Sequence, residues 1–299
     1  MVICNSVNKF VLKNIDLHIP KGEVVGVIGA SSSGKTTFLK LLAGLLQPES
    51  GEIYVNRCNP LGKNIATLRE TAALFAKVPV FDEKENLWDY FNKIPIMYGL
   101  KKSEFDDRLR SVSEALDFEK YMDLKVTDLS FGMRRRAELG TIFCRDAKLY
   151  LIDEPCLGLD QNGKEAFYEI VRKCQREGST VIIASHNMED IKNVADRIIL
   201  LNEGQVVFYG DIEELHKRFI PMDECFVQYE GRLPDLSDLE IEQYRIDNDK
   251  IQIRYNSNHV TSKEVIEHIL SCTKIKSVHI KQEDLSESIK TAKAISENG

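Results

Sequence analysis

No stretch of the chain approaches the roughly 18 consecutive apolar residues that a membrane span needs, which argues against an embedded fold. The opening residues, Met1 to Asn5, lack the charged segment and apolar run of a secretion signal. Cysteine is present but unorganised: seven residues, at 4, 58, 144, 156, 174, 225 and 272, form no C-x-x-C pair. This disfavours a disulfide framework or a zinc site and fits a reducing cytosol. Cys144 and Cys174 fall in helical patterns and are expected as small core residues. A basic excess is also missing. Forty Lys and Arg stand against 47 Asp and Glu, a net charge of -7, so no nucleic-acid partner is expected. Internal repeats, coiled-coil heptads and low-complexity tracts are absent as well. What remains is a 299-residue globular composition, long enough for one large domain and a smaller one.

Against that background one stretch stands out. Gly29-Ala30-Ser31-Ser32-Ser33-Gly34-Lys35-Thr36 fits G-x-x-x-x-G-K-[ST], between a strand-like run (23–28) and a helical run that begins with Thr37. Gly29 and Gly34 let the backbone curl so that successive N–H groups face phosphate oxygens. The following helix adds the positive end of its dipole. Lys35 supplies a mobile charge for the β- and γ-phosphates, and the Thr36 hydroxyl suits Mg²⁺. A nucleoside triphosphate is the expected ligand.

Strand-like runs recur at 10–19, 52–55, 148–152, 180–184 and 197–201, with helical patterns over 85–128 and 162–176. Ser103 is expected to cap a helix carrying Phe105, Leu109, Val112 and Leu116 on one face. Nearly continuous apolar strands alternating with helices imply a largely parallel, buried sheet. Asn202-Glu203-Gly204 reads as the turn of a hairpin leading into 205–209. Composition shifts near Pro221, and 222–299 reads as a small α+β domain. It has strands near 225–229, 251–255 and 275–280, a capping box at Thr261 to Glu264, and a last helix opening at Asp284.

The run 149–152 ends in Asp153 and Glu154, two carboxylates at the C-terminal end of an apolar strand, where parallel sheets hold ligands. Asp153 suits a water-mediated contact to Mg²⁺, and Glu154 suits polarising the water that attacks the γ-phosphate. Upstream lies Leu129-Ser130-Phe131-Gly132-Met133, followed by Arg134, Arg135 and Arg136. Ser130 and the N–H groups after Gly132 would form a helix N-terminus suited to an anion. The three arginines read as helix-surface charges, with Glu138 a local partner for Arg134 and Arg135.

This segment resembles the LSGGQ signature of ABC-type ATPases, in the form with a variable third residue and Met fifth found in some exporter subfamilies. Gly158-Leu159-Asp160 resembles the family's D-loop, and Ser185-His186 its switch histidine. Ser130 lies 95 residues after Lys35, and His186 lies 32 after Glu154, both family-like spacings. The resemblance covers about residues 2–218. It implies a P-loop ABC ATPase domain over 1–220: a parallel-sheet core, an antiparallel β subdomain and a helical subdomain at about 85–140. It further implies a catalytic Glu154 and His186, nucleotide contacts from Gly29 to Thr37, and Mg²⁺ at Thr36 and Asp153. Ser130, Phe131, Gly132 and Met133 would touch the γ-phosphate held by a second subunit in a head-to-tail ATP sandwich, with Asp160 in the D-loop. His18, His216, His259, His268 and His279 have no comparable context.

Two departures from the family pattern stand out. The aromatic residue that stacks on adenine in many members is replaced by the region of Val7, with Phe10 the nearest ring. The glutamine that usually ends an inner strand and touches Mg²⁺ and the attacking water is missing. The loop runs about three residues short, and Ala76 or Lys77 stands in the glutamine's place. A slow ATPase is expected, with Lys77 a candidate for a compensating charge.

The resemblance implies an ATP-hydrolysing motor subunit of a membrane exporter. It would sit peripherally on the inner face of the cell membrane, docked on separate transmembrane permease chains, as a homodimer or paired with a related ATPase subunit. The segment 222–299 is similar to short C-terminal domains of exporter ATPases. The competing reading is a weakly hydrolysing regulatory ABC protein, encouraged by the lost glutamine and opposed by Glu154 and His186. DNA-repair and translation relatives are disfavoured, since they carry long coiled coils or two such domains in tandem.

Overall fold

The computed structural model describes residues 1–62, 69–219 and 222–282; the helix expected from Asp284 lies outside them. The chain divides into two compact units, Met1–Gly210 and Asp211–Gly299.

The first unit is built on a six-stranded sheet in the order β5-β6-β7-β3-β8-β9. Its strands are β3 (Val24–Ile28), β5 (Thr71–Leu74), β6 (Leu149–Asp153), β7 (Thr180–Ala184), β8 (Arg197–Asn202) and β9 (Gln205–Gly210). All pairs are parallel except β8 with β9, the hairpin turned by Glu203 and Gly204 in left-handed conformation. Every residue of β3, β6 and β7 is buried, which explains why these strands are apolar throughout rather than alternating. A second, antiparallel sheet, β2-β1-β4, is formed by β1 (Val2–Lys9), β2 (Leu12–Ile19) and β4 (Ser50–Val55). Its inward residues Val2, Cys4, Val7, Leu12, Ile15, Leu17 and Ile19 share one core with Phe38, Leu39 and Leu42 of α1 (Lys35–Leu42).

Between β5 and β6 the chain forms α2 (Leu87–Tyr98), α3 (Lys102–Ala115) and α4 (Phe131–Phe143). Phe91 of α2 stacks on Phe118 at 5.4 Å, and both rings press on Gly140 of α4, where a Cβ would meet the Phe118 ring at 2.5 Å. Ser103 does not cap α3. The helix starts two residues earlier, with Lys101 at the N-cap and no side-chain cap bond, so Ser103 lies inside the first turn. The core continues with α5 (Gln161–Arg176) and α6 (Met188–Lys192).

The second unit holds α7 (Ile212–Phe219) and a four-stranded antiparallel sheet in the order β11-β12-β10-β13. Its strands are β10 (Met222–Glu230), β11 (Ile241–Asp247), β12 (Lys250–Asn256) and β13 (Lys274–Gln282). On one face α8 (Ser262–Cys272) adds Val265 and Ile269 to a core of Cys225, Val227, Ile251, Ile253 and Tyr255. Thr261 and Glu264 form the full reciprocal capping box at the start of α8.

Candidate functional site

Register places the candidate residues at one sheet edge. Asp153 pairs with Ala184, and Ala184 with Val27, so the loops leaving β3, β6 and β7 emerge side by side. The Glu154 amide donates to the Ala184 carbonyl at 2.8 Å and the Ser185 amide to that of Val27 at 3.1 Å, extending the parallel pattern into these loops.

The loop from Gly29 to Gly34 is tight for a steric reason. A Cβ on Gly29 would lie 2.2 Å from the Leu201 carbonyl oxygen, and one on Gly34 would lie 2.6 Å from the Leu12 side chain; both have positive φ. Ala30, Ser31 and Ser32 are exposed, Ser33 is buried, and Thr37 is half-buried. Gly34 is the N-cap of α1 and offers no side chain to the first amides of the helix, the arrangement an anion needs. Lys35 Nζ donates to the carbonyls of Gly29 at 2.8 Å and Ala30 at 3.0 Å. Burial lowers its pKa, while Glu154 and Asp153 pull it up.

The Thr36 hydroxyl donates to Asp153 Oδ2 at 2.8 Å. Burial raises the Asp153 carboxyl above its ordinary value, opposed by the Thr36 bond. A buried carboxylate and a hydroxyl in contact, next to the phosphate loop, are two hard oxygen donors and fit Mg²⁺, which is commonly held by one or two protein ligands plus phosphate.

Glu154 takes the left-handed conformation at φ 50°. Its carboxylate accepts from the His186 amide at 3.1 Å and the Ser185 hydroxyl at 3.3 Å, and it meets His186 Nδ1 at 2.8 Å. The imidazole itself is exposed. Lys35, Thr36, Asp153, Glu154 and His186 are therefore gathered on one edge.

The signature residues lie apart from that group. Ser130 is the N-cap of α4 and its Oγ accepts the Met133 amide at 3.3 Å. Among the described contacts, none joins Ser130 to Met133 with the phosphate loop. Phe131 and Gly132 pack instead on Gly158: a Cβ there would lie 2.2 Å from the Phe131 ring, whose outer side is exposed. Asp160 caps α5, accepting the Gly163 amide at 2.9 Å and pairing with Arg136. These contacts hold its carboxyl below the ordinary range, the Gly163 bond most of all.

The expectation of three surface arginines is wrong for Arg135, which is only 3% exposed. Its guanidinium donates to the carbonyls of Asp153 at 3.0 Å, Glu154 at 2.7 Å and Pro155 at 3.2 Å, and to Glu138 at 3.0 Å. Arg136 is partly buried and donates to the Leu116 carbonyl at 2.9 Å. The available signal was spacing: 135, 139 and 142 fall on the buried stripe of α4. Arg134 does pair with Glu138, at 3.2 Å.

Ala76 and Lys77 follow β5 and line a cleft of about 220 Å³ with Val78, Pro79, Phe131 and Arg134. Lys77 is exposed. Phe10, at φ 50°, is 68% exposed with Lys9 Nζ over its ring at 4.3 Å, whereas Val7 is buried.

Comparison with known proteins agrees with this layout. The family model described as ABC transporter matches residues 12–157. The energy-coupling factor transporter ATP-binding protein EcfA2 of Clostridium perfringens is 35% identical over 215 residues, covering 70% of this chain and 75% of the relative. The ABC transporter ATP-binding protein NatA of Bacillus subtilis is 32% identical over 210 residues, 69% and 84% of the two chains. In fold, an ATP-binding subunit of an ABC transporter superposes with TM-score 0.68 at 24% identity, over 73% of this chain and 92% of that one. The dimeric post-hydrolysis cassette MJ0796, bound to ADP and Pi, gives 0.62 at 23% identity, over 71% and 99%.

Proposed function

The chain belongs to the ATP-binding proteins of ABC transporters, an ATP-hydrolysing family, and from that premise we propose how its own residues divide the work. The chain is the ATP-hydrolysing motor subunit of a membrane transporter. It docks on separate permease chains at the cytoplasmic face and drives export. The absence of any described helix long and apolar enough to cross a membrane supports separate permease chains. Phe131 and Met133 in the signature support the export direction.

The observation that carries the mechanism is the Glu154 carboxylate clamped by His186 and Ser185 beside Lys35. Lys35 exchanges two backbone carbonyls for the β- and γ-phosphates, so the loop is held closed until nucleotide arrives. The amides of the phosphate loop and the start of α1 surround the phosphate chain. Thr36 directly and Asp153 through water would hold Mg²⁺, which would neutralise phosphate charge. Glu154 orients and deprotonates the attacking water, and His186 meets the γ-phosphate from the neighbouring loop. Ser130 and Gly132, on a different face, serve the nucleotide of a second subunit, either another copy or a related ATPase.

Turnover is slow, because Ala76 or Lys77, neither with a side-chain amide, stands where the family's glutamine positions the water. The residues 222–282 form an accessory α+β domain with its own core. Comparing ATPase activity of the wild type and Glu154→Gln tests the motor reading, alongside purification from native membranes. Slow but Glu154-dependent hydrolysis with co-purifying hydrophobic chains is expected. Hydrolysis indifferent to Glu154→Gln, or a protein with no membrane partner, contradicts it.

A further inference from the structure

We propose that Arg135 is a positioning residue for hydrolysis: it fixes the turn that carries Glu154 and ties that turn to the helix beginning at Ser130. The proposal rests on the reading of Glu154 as the base. Three consecutive carbonyls, of Asp153, Glu154 and Pro155, converge on one guanidinium buried beneath the turn. A buried carbonyl needs a donor, and here a single side chain serves three of them. The turn also contains a non-glycine residue in left-handed conformation, Glu154 itself, a geometry that costs on the order of 1–2 kcal/mol and persists only when surrounding contacts dictate it. Arg135 is the side chain that dictates it from below, while His186 and Ser185 hold the carboxylate from above.

The guanidinium is itself fixed. Its remaining edge donates to Glu138, one turn further along α4, and Glu138 is shared with Arg134. Two neighbouring contacts run in the same direction: Phe131 lies on Gly158, and Arg136 pairs with Asp160. The first turns of α4 and the segment 153–160 thus form one piece. In consequence, the residues facing the second subunit's nucleotide and the base for this subunit's own nucleotide move together. A displacement of α4 by its trans ligand is transmitted to Glu154 through a planar, five-donor group that a lysine cannot fully replace.

The test uses the full chain carrying Arg135→Met, Arg135→Lys or Arg135→Gln, with Glu154→Gln alongside. ATP affinity is measured by calorimetry, kcat by phosphate release, and folding by thermal melting. Arg135→Met removes all donors and is expected to lower kcat roughly 10- to 100-fold, since misplacing a reacting group by about 1 Å can cost about 10². The Kd for ATP should stay within about twofold, because the phosphate loop is untouched, and Arg135→Lys should recover part of kcat. Wild-type kcat in a folded Met variant overturns the proposal, as does parallel loss of kcat, ATP binding and melting temperature in both the Met and Lys variants. If the Met variant does not fold, the Gln variant decides: reduced kcat at unchanged Kd supports the proposal, and unchanged kcat overturns it. Glu154→Gln at the wild-type rate would remove the reading of Glu154 while leaving the Arg135 result separately readable.

Discussion

Two segments that the family resemblance assigns to the nucleotide site are unequally equipped. On one side, the loops leaving β3, β6 and β7 bring Lys35, Thr36, Asp153, Glu154 and His186 to one edge, with Thr36 bonded to Asp153 at 2.8 Å, Glu154 to His186 at 2.8–3.1 Å, and Lys35 to the loop carbonyls. On the other, the segment leaving β5 offers Ala76, which has no polar side chain, and the exposed Lys77. The first side has what phosphate binding requires. The second presents no side-chain amide at 76 or 77. On the proposed function, the difference separates affinity from turnover: nucleotide should bind well and phosphate should be released slowly.

The largest expected effect breaks the stronger side. Lys35→Ala removes the cation aimed at the phosphates; turnover should fall by roughly 10²–10³, with weakened ATP binding seen by calorimetry. Repairing the weaker side comes next. Ala76→Gln should raise kcat about tenfold, a fraction of the roughly 10²–10³ that a lost transition-state donor can cost, without changing Kd. An unchanged kcat would place the limitation elsewhere.

A smaller effect concerns Asp153, whose carboxyl burial has raised. A raised carboxyl favours the protonated folded form. Its stabilising contribution is therefore fully present below the unfolded value of roughly 3.9 and is lost as pH rises through the folded one. Metal-dependent hydrolysis should fall in the opposite direction, as acid protonates the same oxygen. Asp153→Asn should raise the melting temperature of the nucleotide-free protein at neutral pH and remove the part of its pH dependence that this carboxyl supplies, read by calorimetry from about pH 4 to 8. Smallest of all, Lys77→Ala should lower turnover by no more than about fivefold, since an exposed charge contributes at most about 1 kcal/mol. No change at all would exclude Lys77 as a compensating charge.

Much of the fold could be read from the chain because its signals are local. The phosphate loop needs glycine where a Cβ would strike Leu201 or Leu12, and the central strands are apolar because they are buried on both faces. The capping box at Thr261 and the hairpin at Gly204 are likewise written in a few adjacent residues. What escaped depended on tertiary context. The strand β1 is broken by register shifts between Cys4, Val7 and Lys9, with Ser6 in left-handed conformation, so its alternation fades. Ser103 offered a cap, but the chain entered the helix two residues sooner, at Lys101. Arg135 looked like one of three solvated charges; its role came from carbonyls 18–20 residues away, which no neighbouring residue announces. Clustering of Lys35, Thr36, Asp153, Glu154 and His186 followed from strand order, since β6, β7 and β3 are adjacent in the sheet but not in sequence.

On the proposed function, the phosphate cradle on one face and the serine-capped helix on another serve the nucleotides of two different subunits. Light scattering of Glu154→Gln with saturating MgATP tests it most directly. The expected result is a mass that doubles with nucleotide, or a one-to-one complex with a co-purifying related ATPase, abolished by Ser130→Arg. A mass that stays at one chain under saturating nucleotide, alone and with every co-purifying subunit, contradicts it.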